Sequence, residues 1–164
     1  MKIVIQKYAW VLYCLFVLAV TCFIWRNSIM DAAASSQSSN VIVDMIAPAD
    51  PNKVDFWSKW IRKAAHIVEY AMLGVAVSCL VHYVKSHYHR ISYGWAFFYV
   101  LAVAVTDEHI QSFSDRSSST NDIVLDFIGA VLGFVLVLLA IQVYFKVKKL
   151  RNFKQKGELE RGRE

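Results

Sequence analysis

Four runs of apolar residues, separated by charged or polar segments, follow one another along the chain. The first extends from Tyr8 to Trp25 without a charged residue, and the later runs cover about residues 64–84, 91–110 and 123–145. At about 1.5 Å per residue, a helix of that length nearly matches a hydrocarbon core of about 30 Å. Because lipid cannot satisfy backbone polar groups, each run is predicted to be a helix, which gives an all-α, four-helix transmembrane bundle.

The segments between these runs differ in length and character. Asn27–Lys59 is long, polar and rich in Ser and Ala, Lys85–Arg90 is tight, and Asp107–Asp122 is intermediate. The first segment is predicted to be an irregular loop. Aromatic residues that prefer a membrane interface stand near its end, which predicts an interfacial stretch around Phe56, Trp57 and Trp60.

Composition places the chain among membrane proteins. Of its 164 residues, 57% are hydrophobic and 19% are charged, which is rare for a soluble domain of this size. The formal charge of +5 does not indicate a nucleic-acid partner, because eight of the eighteen Lys and Arg residues fall in the last nineteen positions. We therefore divide the chain into a membrane domain, residues 1–145, and a basic cytoplasmic tail, residues 146–164. The three cysteines all lie in apolar runs and predict no structural disulfide.

The basic residues also predict an orientation. Chain parity puts Lys2, Lys7, Lys85, Arg90 and the tail on one side, which then carries twelve of the eighteen Lys and Arg residues. By the positive-inside rule that side is the cytoplasm. The prediction is a multi-pass plasma-membrane protein with both termini inside and an extracytoplasmic loop between the first two helices.

A competing interpretation concerns the first run. Ala32-Ala33-Ala34 is compatible with signal-peptidase cleavage, which would leave a three-helix protein beginning at Ser35. The run before it is long for a signal, and Trp25 and Arg26 fit a membrane boundary, so the four-span interpretation is favoured.

Ionisable residues are drawn toward the membrane because the uncharged stretches are shorter than the roughly twenty residues that a crossing needs. The second run is free of ionisable residues of the charged and histidine types only from Tyr70 to Val81. The third run is free of them only up to Thr106, and the fourth only from Phe127. Ionisable groups at such depths are costly and normally face partners inside a bundle. The residues concerned are His66, Glu69, Asp107, Glu108 and Asp126.

Antiparallel alternation brings the start of the second run, the end of the third and the start of the fourth to one side of the membrane. At about 100° per residue, each of these ends presents its polar residues on one face. Those faces carry Lys63, His66 and Tyr70, then Asp107 and Gln111, then Asp122, Asp126, Gly129 and Gly133. The last two residues, in GxxxG spacing, are predicted to let a neighbouring helix approach closely.

Three interpretations of this predicted polar cluster stay open. It can be structural, with Lys63 or Arg116 pairing with Asp107, Glu108 or Asp126. Two carboxylates held close can instead supply an acid and a base for catalysis. A divalent cation or a cationic ligand group could also balance the excess negative charge, with donors among His66, Asp107, Glu108, Asp122 and Asp126. No motif with defined ligand spacing is present, so no metal and no cofactor is predicted.

These residues resemble the VanZ-like family of small membrane proteins. The matching elements are Lys63-x-x-His66-x-x-Glu69-Tyr70-x-x-Leu73-Gly74, then Asp107-Glu108-x-x-Gln111-x-Phe113-x-x-Arg116, and finally Asp122-x-x-x-Asp126-x-x-Gly129-x-x-x-Gly133. They cover the second to the fourth run, and the stretch around Ser36–Ser39 loosely resembles the family's outer loop. Family members often have Pro-Gly where Ser114-Asp115 precede the arginine, and often Asn where Asp126 stands.

The resemblance implies a four-helix membrane domain and a role in the cell envelope. The founding member of the family is associated with resistance to the glycopeptide teicoplanin, a lipid-bearing antibiotic that acts near lipid-linked wall precursors at the outer leaflet. It implies no defined reaction. The expected partners are membrane lipids, with a lipid-linked wall precursor or the glycopeptide itself as the candidate ligand.

The sequence therefore predicts an extracytoplasmic polar site that binds or shields an envelope lipid or wall precursor. Its residues are Lys63, His66, Tyr70, Asp107, Glu108, Gln111, Arg116, Asp122 and Asp126. One alternative is a membrane-embedded enzyme that modifies a lipid or precursor, with His66, Asp107 or Glu108 as the candidate catalytic base. The other alternative is an ion or proton conductor with Glu69 as a relay.

Overall fold

Four helices account for nearly all of the chain that the structure describes. The structure, a computed structural model, describes residues 2–29, 51–88, 92–113 and 120–161. The helices are α1 Lys2–Ile29, α2 Pro51–Tyr88, α3 Tyr93–Gln111 and α4 Thr120–Arg161, and no strand occurs within those ranges. The all-α prediction is therefore confirmed. The cleavage site of the competing interpretation, Ala32–Ala34, and the loop stretch Ser36–Ser39 lie outside the described residues.

α1, α2 and α4 are longer than the apolar runs that predicted them, and α3 nearly matches its run. α2 begins at Pro51, so the predicted irregular segment is shorter than expected and its aromatic end is helical. α3 continues to Gln111 and α4 begins at Thr120, which shortens the third segment as well. A helix can continue beyond the end of an apolar run, because helical hydrogen bonds also satisfy the backbone N–H and C=O groups outside the lipid.

Three of the helices are long and apolar enough to cross a membrane. The qualifying stretches are Tyr8–Ile29, Trp60–Tyr88 and Thr120–Phe153. α3 is not among them, because its last turns carry Asp107, Glu108 and His109 within only nineteen residues. A full crossing by α3 stays a prediction, as does the orientation of the chain. The outward surface suits lipid, since Leu12, Leu18 and many other large apolar side chains are exposed.

α2 lies at the centre of the bundle. It packs against α4, α1 and α3, and the shared core consists of apolar side chains from all four helices, among them Ile24, Leu73, Val100 and Phe134. Few polar atoms interrupt this core away from the polar end. One that does is the Thr21 hydroxyl of α1, which is 2.9 Å from the hydroxyl of Tyr99 in α3.

α2 and α4 cross at very short range, as the GxxxG spacing predicted. A Cβ added to Gly129 would lie 2.6 Å from the carbonyl oxygen of Ile67. At Gly133 it would collide with the carbonyl of Ala71, and at Gly74 with the carbonyl of Ala130. Because glycine has no side chain, these three positions allow the backbones at the starts of α2 and α4 to pack directly against each other.

Candidate functional site

The polar residues of four helix segments meet at one end of the bundle. This end is formed by the last turns of α1 and α3 and by the first membrane turns of α2 and α4. We call the side chains buried there the polar cluster, and its members are Ser28, His66, Tyr70, Asp107, Glu108, Gln111 and Asp126. The antiparallel arrangement predicted from the sequence produces this gathering.

Asp107 lies at the centre of the polar cluster and is completely buried. One of its carboxylate oxygens, Oδ1, accepts a hydrogen bond from the Ser28 hydroxyl of α1. The other, Oδ2, accepts one from Gln111 Nε2 at 3.0 Å, one turn further along α3. Two helices therefore hold this carboxylate in a fixed orientation.

His66 of α2 connects two buried carboxylates. Its Nδ1 atom is 3.9 Å from Asp107 Oδ2 and 3.7 Å from Asp126 Oδ1. Both distances are longer than an ordinary hydrogen bond to nitrogen. The His66 side chain is 21% exposed, whereas the two carboxylates are almost fully enclosed, so the imidazole is the most accessible of the three groups.

Asp126 of α4 is buried with unused hydrogen-bonding capacity. Its Oδ2 atom is enclosed and has no hydrogen-bond partner among the described residues. Tyr70, one helical turn after His66 in α2, is also fully buried, and its hydroxyl group likewise has no hydrogen-bond partner among the described residues. An enclosed carboxylate oxygen without a hydrogen bond is costly in an apolar bundle.

Lys63 and Asp122 form the rim of the cluster. Lys63 Nζ donates to Asp122 Oδ1 at 3.0 Å, and the two side chains are 45% and 33% exposed. The predicted pairing of Lys63 with Asp107, Glu108 or Asp126 is therefore wrong. Lys63 lies nearly a full turn before His66 in α2. The Lys63 ammonium group therefore reaches Asp122 in the first turn of α4 and not the buried carboxylates. Arg116 lies outside the described residues.

Of the residues that the structure describes, Glu69 and Glu108 are the remaining acidic ones at this end of the bundle. Glu69 Oε1 accepts a hydrogen bond from Asn27 Nδ2 of α1 at 2.7 Å, which ties α2 to the end of α1. Glu108 is buried beside Asp107. Negative charge predominates among the described residues of this end: the five carboxylates Glu69, Asp107, Glu108, Asp122 and Asp126 outnumber the three cations Arg26, Arg62 and Lys63.

Sequence reasoning missed the contribution of α1. Asn27 and Ser28 supply two of the hydrogen bonds at this end, yet they were assigned to the loop because they follow Arg26. The available signal was positional, since parity brings the end of the first helix to the same side as the other three ends. Small polar residues just after an apolar run can belong to the end of the same helix, in particular when that end faces a cluster of polar residues.

Chemically, the polar cluster offers an imidazole and several carboxylates in a space closed to water on most sides. Such a set can bind a cation, accept a proton from a bound group, or orient a polar head group held among apolar helices. The three donors His66, Asp107 and Asp126 each place one atom within 4.8 Å of the other two. The sequence analysis left a divalent cation open with these three residues among five candidate donors, but it could not show which of the five converge.

Comparisons with known proteins give one positive result. No curated protein matches the chain significantly, and no solved structure does. The family model described as VanZ/LLP1 matches residues 10–141, which include most of the apolar part of α1 and every residue of the polar cluster. The chain belongs to the VanZ/LLP1 family of membrane proteins.

Proposed function

We propose that this VanZ-like protein acts at the outer face of the plasma membrane, where its polar cluster binds the head group of an envelope lipid or lipid-linked wall precursor. Binding would shield that molecule and lower the access of a teicoplanin-type glycopeptide. No chemical turnover is needed for such an effect.

The outward direction is supported by the distribution of basic residues. Twelve of the eighteen Lys and Arg residues fall, by parity, on the side opposite the polar cluster. The positive-inside rule assigns the richer side to the cytoplasm. The cluster then faces the compartment in which wall precursors are exposed to glycopeptides.

The binding role rests on one observation above all, the enclosed Oδ2 atom of Asp126 beside Asp107 and His66. Lipid-embedded carboxylates are costly to a membrane protein and by default indicate function. Lys63 at the rim, 45% exposed, provides a cation that a phosphate group can reach from the aqueous edge. Arg116 is proposed as a second phosphate contact.

The experiment is a susceptibility assay with isosteric variants. Cells that express the natural protein, Asp107→Asn or His66→Gln are compared at matched membrane levels for growth in teicoplanin. The matched control is Asn152→Asp, which exchanges the same two groups in the exposed end of α4. We expect the control to protect like the natural protein and the two site variants to protect no better than an empty vector. Full protection by both site variants would overturn the proposal.

A second candidate function is favoured by the position of His66 between two carboxylates. An imidazole held in this way is a suitable general base for a head-group reaction. Masses of lipids and precursors in extracts, compared with and without the protein, separate the two functions. An enzyme creates a new species that His66→Gln abolishes, whereas a shielding protein changes glycopeptide binding and leaves the masses unchanged.

A further inference from the structure

Three donor atoms of different helices converge in the polar cluster. His66 Nδ1 in α2, a carboxylate oxygen of Asp107 in α3 and one of Asp126 in α4 all lie within 4.8 Å of one another. The distances from the imidazole nitrogen to the two carboxylate oxygens, 3.9 Å and 3.7 Å, are too long for direct hydrogen bonds. The imidazole and the carboxylates therefore surround a common point instead of bonding tightly to each other.

That spacing matches the donors of a single metal ion. A tetrahedral ion with bonds of about 2.0–2.2 Å holds its donors roughly 3.3–3.6 Å apart. The two distances from His66 exceed this range by only a few tenths of an ångström. Side-chain rotations of that size, without movement of a helix, would close the three donors on one ion.

The charges of the buried residues also favour a bound cation. Asp107 and Asp126 are buried together, and among the described residues the group of possible positive charge within 4.0 Å of them is His66. Two enclosed carboxylates with so little compensation are unfavourable in an apolar bundle. A divalent cation bound by a neutral imidazole would balance them and would also engage the enclosed Asp126 Oδ2 atom.

We propose that His66, Asp107 and Asp126 bind one divalent transition-metal ion of the zinc or manganese type. One imidazole and two carboxylates form a mixed nitrogen and oxygen set, which favours these ions over Mg²⁺ and Ca²⁺, whose sites are built from oxygen alone. Three protein donors leave a coordination position for a further ligand, as in zinc sites that bind substrate.

The surroundings of Asp107 resemble the supporting shell of a metal ligand. Ser28 and Gln111 donate to its two oxygens, and a carboxylate has enough lone pairs to accept both bonds and still coordinate an ion. Such partners fix the orientation of a ligand, and losing one typically weakens metal binding about 10- to 100-fold. Ser28 is therefore a positioning residue for the ion, although it belongs to α1 and donates no metal bond itself.

This inference rests on the proposed function for its setting, since an ion with an open position in the polar cluster is suited to a phosphate head group. The two can nevertheless fail separately. Protection against the glycopeptide could depend on Asp126 without any ion, and an ion could bind without affecting protection. Metal binding is therefore tested on purified protein, apart from any resistance assay.

The experiment uses the full chain in detergent or nanodiscs, stripped with a chelator and titrated with Zn²⁺, Mn²⁺, Mg²⁺ and Ca²⁺. We expect one Zn²⁺ or Mn²⁺ per chain, with binding at least tenfold tighter than Mg²⁺ or Ca²⁺. His66→Gln and Asp126→Asn should weaken binding by at least 100-fold, and Ser28→Ala by about 10- to 100-fold. The matched control is His109→Gln, an exposed histidine of α3, which should bind like the natural protein.

A spectroscopic measurement on the natural protein guards against variants that do not fold. Mn²⁺ bound at this site should show hyperfine coupling to one histidine nitrogen in protein labelled with ¹⁵N-histidine. Absence of saturable binding, absence of that coupling, or binding that is unchanged in His66→Gln would each overturn the inference. If Arg116 alone balanced the negative charge of the two carboxylates, the protein would show no saturable metal binding.

Discussion

Ser28, in the last turn of α1, donates a hydrogen bond to Asp107, in the last turns of α3, across 79 positions of sequence. Both side chains are fully buried. The bond fastens the first helix to the centre of the polar cluster, so α1 is part of the site and not only an anchor. A chain from which α1 had been removed would lack this contact.

Replacing Ser28 by Ala is expected to destabilise the protein modestly. Hydrogen bonds between membrane helices are worth about 0.6 kcal/mol on average and up to about 1.7 kcal/mol, and a buried carboxylate is left with one partner fewer. The free energy of unfolding, measured by denaturant titration in mixed micelles, should fall by about 0.5–2 kcal/mol. Ser86→Ala, an exposed position of α2, is the control, and an equal loss there would show that the contact has no special weight.

Gly133→Ala is expected to damage the bundle far more than its single methyl group suggests. The added Cβ would meet the carbonyl of Ala71, a backbone atom that cannot rotate away. Because α2 and α4 must move apart, the free energy of unfolding should fall by about 1–3 kcal/mol or more. The folded fraction recovered in detergent should fall as well.

The matched control for that change is Gly94→Ala in α3. There the nearest atom to an added Cβ is the Ser92 hydroxyl at 3.5 Å, an ordinary contact. Gly94→Ala should leave stability within about 0.5 kcal/mol of the natural protein, as surface changes usually do. Equal recovery of the two variants would contradict the close crossing of α2 and α4.

Lys63→Gln should separate stability from function. The Lys63 and Asp122 side chains are 45% and 33% exposed, and exposed ion pairs contribute about 0–1 kcal/mol. The variant should therefore fold normally and yet protect less against teicoplanin, because a phosphate contact is lost. Lys148→Gln, at the other end of α4, should change neither property. A loss of stability above about 2 kcal/mol in Lys63→Gln would make the pair structural.

Much of the architecture was predictable from hydrophobic pattern alone. Lipid demands helices, and the spacing of Gly129 and Gly133 predicted the close crossing that the structure has. Helix ends were less predictable, because charged residues such as Asp107 and Glu108 ended the apolar run but not α3. Hydrophobicity reports where lipid ends, whereas the helix ends where its hydrogen bonding stops.

The polar cluster was predictable in membership but not in pairing. Parity and helical faces selected His66, Asp107, Gln111 and Asp126, which the structure brings together. They could not show that Lys63 would reach Asp122, because the choice depends on the depth at which α2 crosses α4. The convergence of three donors within 4.8 Å likewise depends on how three helices pack, which no spacing along one helix reveals.

The central claim is that these helix ends meet on one side of the membrane, facing outward. It is tested most directly by cysteine labelling in a chain whose Cys14, Cys22 and Cys79 are replaced by alanine. Lys63→Cys and Ser112→Cys, both exposed at the site end, should react with a charged, impermeant maleimide added to intact cells, and Ser86→Cys only after permeabilisation. Labelling of residues 63 and 112 from opposite compartments would contradict the shared site, and labelling of both only from inside would contradict its outward orientation.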